Sequence, residues 1–134
     1  MYGITSAEKR PYRISSSSLE HDDPNSKFIE FPLAVSNFFG KKIPVAGGFY
    51  LRVLPQKTIH SAISEYENNN IPATFYIHSW ELTPELVPKI SLPIKERFVT
   101  YHNLDKAFPR MDKLIKKYQF TSFEKYLSGK KLRL

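Results

Sequence analysis

The chain has 134 residues, about one domain's worth and enough to bury a core. Apolar residues make up 41% and aromatic residues 14%, which excludes disorder over the whole length, and the absence of cysteine excludes a disulfide framework or a thiolate metal site. Lys and Arg number 20 against 13 Asp and Glu, a net charge of +7 that permits a polyanionic partner without specifying one.

In chain order, residues 1–27 read mostly as loop. Pro11, the run Ser15 to Ser18 and the cluster His21-Asp22-Asp23-Pro24-Asn25-Ser26 are turn chemistry. Phe28-Ile29-Glu30-Phe31 alternates apolar and polar side chains and stops at Pro32, as a short strand would. Two further apolar runs, Ile43 to Val45 and Phe49 to Val53, flank Gly47-Gly48. Paired glycines imply positive φ or a close backbone approach, either as a tight turn or bulge or as one wall of a ligand cleft.

From Pro55 the period changes. Ile59, Ala62, Ile63 and Tyr66 recur at the spacing of an amphipathic helix, and Asn68-Asn69-Asn70 ends it because Asn tolerates the left-handed conformation. Ala73-Thr74-Phe75-Tyr76-Ile77 is aromatic and β-branched and reads as a mostly buried strand. Strand, helix, strand in that order is a βαβ pattern, the unit of a parallel sheet. Pro84, Pro88 and Pro93 make 81–97 a predicted loop. Leu104, Ala107, Phe108, Met111, Leu114, Ile115 and Tyr118 resume the helical period, with a helix that starts or kinks near Pro109. Ser122 is placed to cap a last helix carrying Phe123, Tyr126 and Leu127.

The basic excess is concentrated late, in Lys113, Lys116, Lys117, Lys125, Lys130, Lys131 and Arg133, where helical spacing reads as a solvated face. No zinc-finger spacing or phosphate-binding glycine loop accompanies it, so nucleic acid ranks last among partners. No apolar stretch is long enough to span a bilayer, and Met1 to Arg10 lacks the apolar region of a signal peptide, so the expected location is cytoplasmic.

The residues best placed for chemistry close the predicted strand: Tyr76-Ile77-His78-Ser79-Trp80-Glu81. In parallel α/β sheets, side chains leave the core at the C-terminal strand ends, and active sites gather there. His78 stands at that point, a side chain suited to proton transfer near neutral pH, with Trp80 and Glu81 beside it to shield or orient it. The bland alternative is a packed, hydrogen-bonded histidine. His21, His60, His78 and His102 are the full set, and none are spaced to form a helical metal clip, so no metal ligands are assigned.

Pro44-Val45-Ala46-Gly47-Gly48-Phe49-Tyr50-Leu51-Arg52-Val53-Leu54-Pro55, followed by Pro72-Ala73-Thr74-Phe75-Tyr76-Ile77-His78-Ser79-Trp80-Glu81-Leu82, resembles the polysaccharide deacetylase family. The likeness is to bacterial and archaeal members with an extra C-terminal region, often linked with exopolysaccharide biosynthesis. Tyr2-Gly3-Ile4 with Arg10-Pro11, and Arg97-Phe98 with Tyr101-His102-Asn103-Leu104, match that group as well, so the resemblance covers nearly all of residues 1–134 as one region. It implies the C-terminal part of a distorted (β/α) barrel plus C-terminal helices, an α/β fold; a compact α+β arrangement is the alternative. In such enzymes a divalent metal, expected to be zinc, is held by an Asp and two His, and a late His protonates the leaving amine of an N-acetylated sugar. His78 matches that late histidine, and Tyr50 and Arg52 match a Tyr-x-Arg pattern, as cleft-lining or bracing residues. Trp80 is assigned with them to substrate binding.

Two departures qualify the match. Ser79 stands where a proline usually follows the histidine, and the metal-binding motifs, which lie earlier in family members, are absent from this chain. The chain alone is therefore expected to hold no cofactor and to be inactive. Half a barrel leaves sheet edges and apolar faces uncovered, so the expected partners are an N-terminal deacetylase half or a second copy, together with a polysaccharide or N-acetylated sugar. The competing reading is a non-catalytic polysaccharide-binding module.

Overall fold

The computed structural model describes residues 6–38 and 40–129. The Tyr2-Gly3-Ile4 match and the cations Lys130, Lys131 and Arg133 lie outside the described residues.

The chain builds a mixed α+β unit from two short antiparallel strand pairs and a set of helices. Strand β1 (Tyr12–Ile14) pairs with β2 (Phe28–Glu30), Tyr12 opposite Glu30. The first 27 residues are thus not all loop: Tyr12 and Ile14 have the aromatic and β-branched side chains that suit a strand. The long connection is tied back by polar side chains. Asp22 Oδ1 accepts from Arg13 N at 2.8 Å, and the Ser26 hydroxyl donates to the Ile14 carbonyl.

Strand β3 (Val35–Phe38) pairs with β4 (Lys41–Pro44), and Gly40 in the connection takes a φ of 77°, a conformation that costs glycine nothing. Ala34, Val45 and Ala46, at the open end of this hairpin, are fully buried.

The parallel pattern read from the sequence appears here only as isolated bridges. Residues 74–76 run parallel past Leu33 and then Gly47, with Ala34 N donating to Thr74 O at 3.1 Å and Tyr76 N to Ala46 O at 2.8 Å. They form neither a continuous ladder nor a (β/α) barrel among the described residues, and Tyr76 is exposed rather than buried.

Helix α1 (Gly48–Val53) takes up the second apolar run, and α2 (Gln56–Asn68) follows directly with Pro55 as its N-cap. On α2 the buried residues are Ile59, Ala62, Ile63 and Tyr66, the stripe that the helical spacing predicts. That single face serves two clusters. Ala62 and Tyr66 pack with Ala34, Val45 and Ala46, while Ile59 and Ile63 pack with Leu51 and Leu114. The Tyr66 hydroxyl also accepts from Val35 N at 2.9 Å, pinning the helix to the hairpin. Asn70 ends the helix with a φ of 54°.

Residues 81–97 differ from the predicted loop. Pro84 and Pro93 start helices instead of preventing them, because a first-turn residue has no intrahelical N–H bond to lose. Helix α3 (Ser79–Leu82) leads into a 3₁₀ turn at Pro84–Leu86 with Pro84 at its start, and Pro93 is the N-cap of α4 (Ile94–Tyr101). Helix α5 (Ala107–Lys117) begins two residues before Pro109 for the same reason. The Ser122 hydroxyl accepts from Lys125 N at 3.2 Å and caps α6 (Phe123–Gly129). Part of the α5 stripe stays in solvent: Leu114 is buried, whereas Phe108 and Ile115 are exposed.

Two stability predictions arise from this packing. Ile59→Ala removes a side chain shared by α2 and the Leu51–Leu114 cluster and should cost about 2–5 kcal/mol, read from urea unfolding. Burial raises the Tyr12 phenol to a pKa of about 12, reinforced by Glu30, whose carboxylate it hydrogen-bonds at 3.1 Å, and by Glu20 and Glu8. Because the folded value lies above the ordinary 10.0, this contribution is intact below pH 10 and declines as pH rises towards 12. Phenolate absorbance should show one tyrosine titrating late, and Tyr12→Phe should flatten the alkaline fall in stability.

Candidate functional site

Helix α1 places Arg52 towards the interior, and α3 places Glu81 opposite it. Their side chains form a buried ion pair, Arg52 Nη2 to Glu81 Oε1 at 3.0 Å, with the two residues 1% and 3% exposed. Such burial is costly for both charges unless every polar atom finds a partner. Here each one does. Arg52 Nη2 also donates to Val99 O at 2.9 Å, Nη1 to His102 O at 2.7 Å and Thr100 O at 3.3 Å, and Nε to Gly48 O at 3.3 Å. The Val99, Thr100 and His102 carbonyls end α4, so Arg52 acts as a cationic C-cap from a neighbouring helix.

The same device recurs one step away. Arg110, on α5, donates through Nη1 to the carbonyls of Leu51, Arg52 and Leu54 at 2.8–3.0 Å and caps α1. Asn103 adds a bond from Nδ2 to Arg52 O and adopts a φ of 51° to make the turn out of α4.

The second oxygen of the pair faces the predicted site. Glu81 Oε2 accepts from the backbone N–H of His78 at 3.1 Å, closing the first turn of α3 on itself. This accounts for Gly48. A Cβ built there would overlap the Glu81 carboxylate, whereas Gly47 faces only ordinary contact with Tyr50. Neither glycine has positive φ; Gly48 marks a close approach, and the approaching group is a carboxylate.

His78 itself is exposed at the end of the 74–76 segment. Its ring lies 4.8 Å edge-on from Tyr76 and 5.7 Å from Trp80 in a stacked orientation, and the Tyr76 hydroxyl is 3.3 Å from Nδ1. Tyr76 and Trp80 are 54% and 37% exposed, so the three rings form an open aromatic surface. The structure thus brings His78 and Trp80 together and ties Arg52 to them through Glu81. Tyr50 is half-buried against Phe49 at 5.5 Å, and among the described residues no hydrogen bond or ring contact links it to His78 or Trp80. Of the two roles open to Arg52, bracing is the one its geometry fits.

The other histidines stand apart. His60 Nδ1 lies 2.8 Å from the Tyr118 hydroxyl, and burial, with Lys117 nearby, lowers its pKa. His102 stacks on Phe98 at 4.4 Å, and His21 is exposed in the loop before β2. Among the described residues no group of three or more His, Asp or Glu is arranged to hold a metal ion. Arg110 is the functional neighbour that the sequence does not reveal: nothing in its context marks it as the cap of a helix more than fifty positions earlier.

A small α+β unit in which the exposed His78 is braced from beneath by a buried ion pair is the class of site these residues define. The chain belongs to the DUF3473 family, a domain of unknown function whose family model matches residues 1–128. Comparison with curated proteins and with solved structures gives no match. No helix among the described residues is long and apolar enough to cross a membrane.

Removing one member of the ion pair leaves the other charged and buried. Arg52→Ala should destabilise the chain by about 3–5 kcal/mol. The double replacement Arg52→Met with Glu81→Leu should cost clearly less than the sum of the two single ones, as measured by urea unfolding.

Proposed function

We propose that this chain supplies the proton-donating histidine of a metal-dependent polysaccharide N-deacetylase, acting on N-acetylated sugars of a cell-surface or exopolysaccharide pathway. The observation that carries the reading is His78: an exposed imidazole at a chain turn whose backbone is fixed by a buried carboxylate. A general acid needs both features, open access to the leaving group and a defined position. The polysaccharide deacetylase resemblance assigns the chemistry.

The described residues do not fit a metal site, so the metal and the groups that activate water would come from outside them. This chain's own contribution is limited to holding a proton at the His78 ring and presenting it beside Tyr76 and Trp80. Tyr76 is hydrogen-bonded to Nδ1, which leaves Nε2 as the nitrogen free to face a leaving amine. A cytoplasmic location belongs to the same proposal.

The aromatic surface favours a second reading, a polysaccharide-binding module. Tyr76 and Trp80 both contact the His78 ring and are partly exposed, and aromatic rings bury apolar area against a planar or ring-shaped ligand at low entropic cost.

One set of measurements separates the two. The chain alone, given zinc or cobalt and an N-acetylated glycan, should release no acetate; robust turnover would refute the need for outside groups. Joined to a segment that supplies the metal ligands, it should deacetylate, and His78→Ala should reduce kcat by about 10²–10⁴-fold. Glycan binding that survives His78→Ala but fails in Trp80→Ala or Tyr76→Ala, without turnover in any assembly, would favour the binding module.

A further inference from the structure

We propose that Glu81 is a positioning residue for His78, and that Arg52 extends this control to the end of α4. The inference rests on the reading of His78 as the proton donor, and it concerns how that ring is held. Glu81 has two oxygens with separate tasks. Oε1 meets Arg52 at 3.0 Å, and Oε2 accepts from His78 N at 3.1 Å.

Gly48 packs directly against the carboxylate, where a Cβ would overlap it, so the position that serves both Arg52 and His78 depends on the missing side chain. Its guanidinium partner is fixed in turn by the carbonyls of Val99, Thr100 and His102. A shift of the α4 end is thereby transmitted through two rigid charged groups to the backbone of the residue that carries the imidazole. The exposed ring has no buried wall of its own. Its hydrogen bond to Tyr76 and its stacking on Trp80 are surface contacts, whereas the anchor at Glu81 holds the backbone that carries the ring.

A purely structural role for Glu81 would lower overall stability and leave the His78 ring where it is. Positioning predicts a local signature. In the full chain, amide hydrogen exchange followed by NMR should show His78 N–H protected. Glu81→Gln, which removes the charge, and Gly48→Ala, which displaces the carboxylate and keeps its charge, should each speed its exchange by about tenfold. Both should weaken the nuclear Overhauser contact between the His78 and Trp80 rings, while Tyr66 N–H on α2 stays protected. Unchanged His78 exchange and an unchanged ring contact in both variants would overturn the proposal.

If a variant loses Tyr66 protection, and has therefore unfolded, the wild-type chain decides the matter. A His78 N–H that exchanges there as fast as a solvent-exposed amide would also overturn it. Because these readouts need no turnover, a failure of positioning is distinct from a failure of the deacetylase reading, which rests on acetate release by the assembled enzyme.

Discussion

The guanidinium of Arg52 sits out of water, and a charge in that position is tolerable only when each of its donors meets an acceptor. Five bonds meet that condition, and they come from four separate parts of the chain: its own helix, α3, and the last carbonyls of α4 together with the turn beyond. None of those parts buries much apolar surface beyond α1 itself. No buried hydrophobic comes from α4 or α3, and the one buried residue of α3 is Glu81. The electrostatic requirement of one arginine therefore orders a region that apolar packing alone would leave loose.

The apolar core lies elsewhere, along one face of α2, and the two systems meet at α1. Leu51 points into the cluster with Ile59, Ile63 and Leu114, while the next residue, Arg52, points into the polar knot. Arg110 joins them by capping α1 from α5, so the helix that carries Arg52 is held at its C-terminus by a second arginine. The candidate site inherits its rigidity from this junction. His78 is exposed, yet its backbone connects through one carboxylate to the buried Arg52 guanidinium.

Much apolar surface stays outside both systems. Ile94, Phe98 and Val99 on α4, Phe108 and Ile115 on α5, and Phe28 on β2 remain exposed, more large apolar side chains than isolated surface positions account for. The hairpins are equally economical, each strand with a single hydrogen-bonded partner strand among the described residues.

Local physics made some features legible in the sequence. The α2 stripe, its stop at Asn68-Asn69-Asn70, the Ser122 cap and the helix start near Pro109 depend on side-chain spacing and backbone preference within a few residues, and they emerged as read. His78 could likewise be singled out, because it ends an apolar run beside Trp80 and Glu81. The rest depended on partners far away in the chain. Whether 73–77 forms a ladder or two bridges, whether Tyr76 is buried, and whether prolines in 81–97 end or begin helices are settled by what lies alongside. Gly47-Gly48 was legible as either a positive φ or a close approach; that Gly48 makes a close approach, and to Glu81, is decided only in the fold. Periodicity reports which face of an element is apolar; it carries no information on which distant carbonyls an arginine will collect, and here that collection, made only by the tertiary structure, fixes the surroundings of His78.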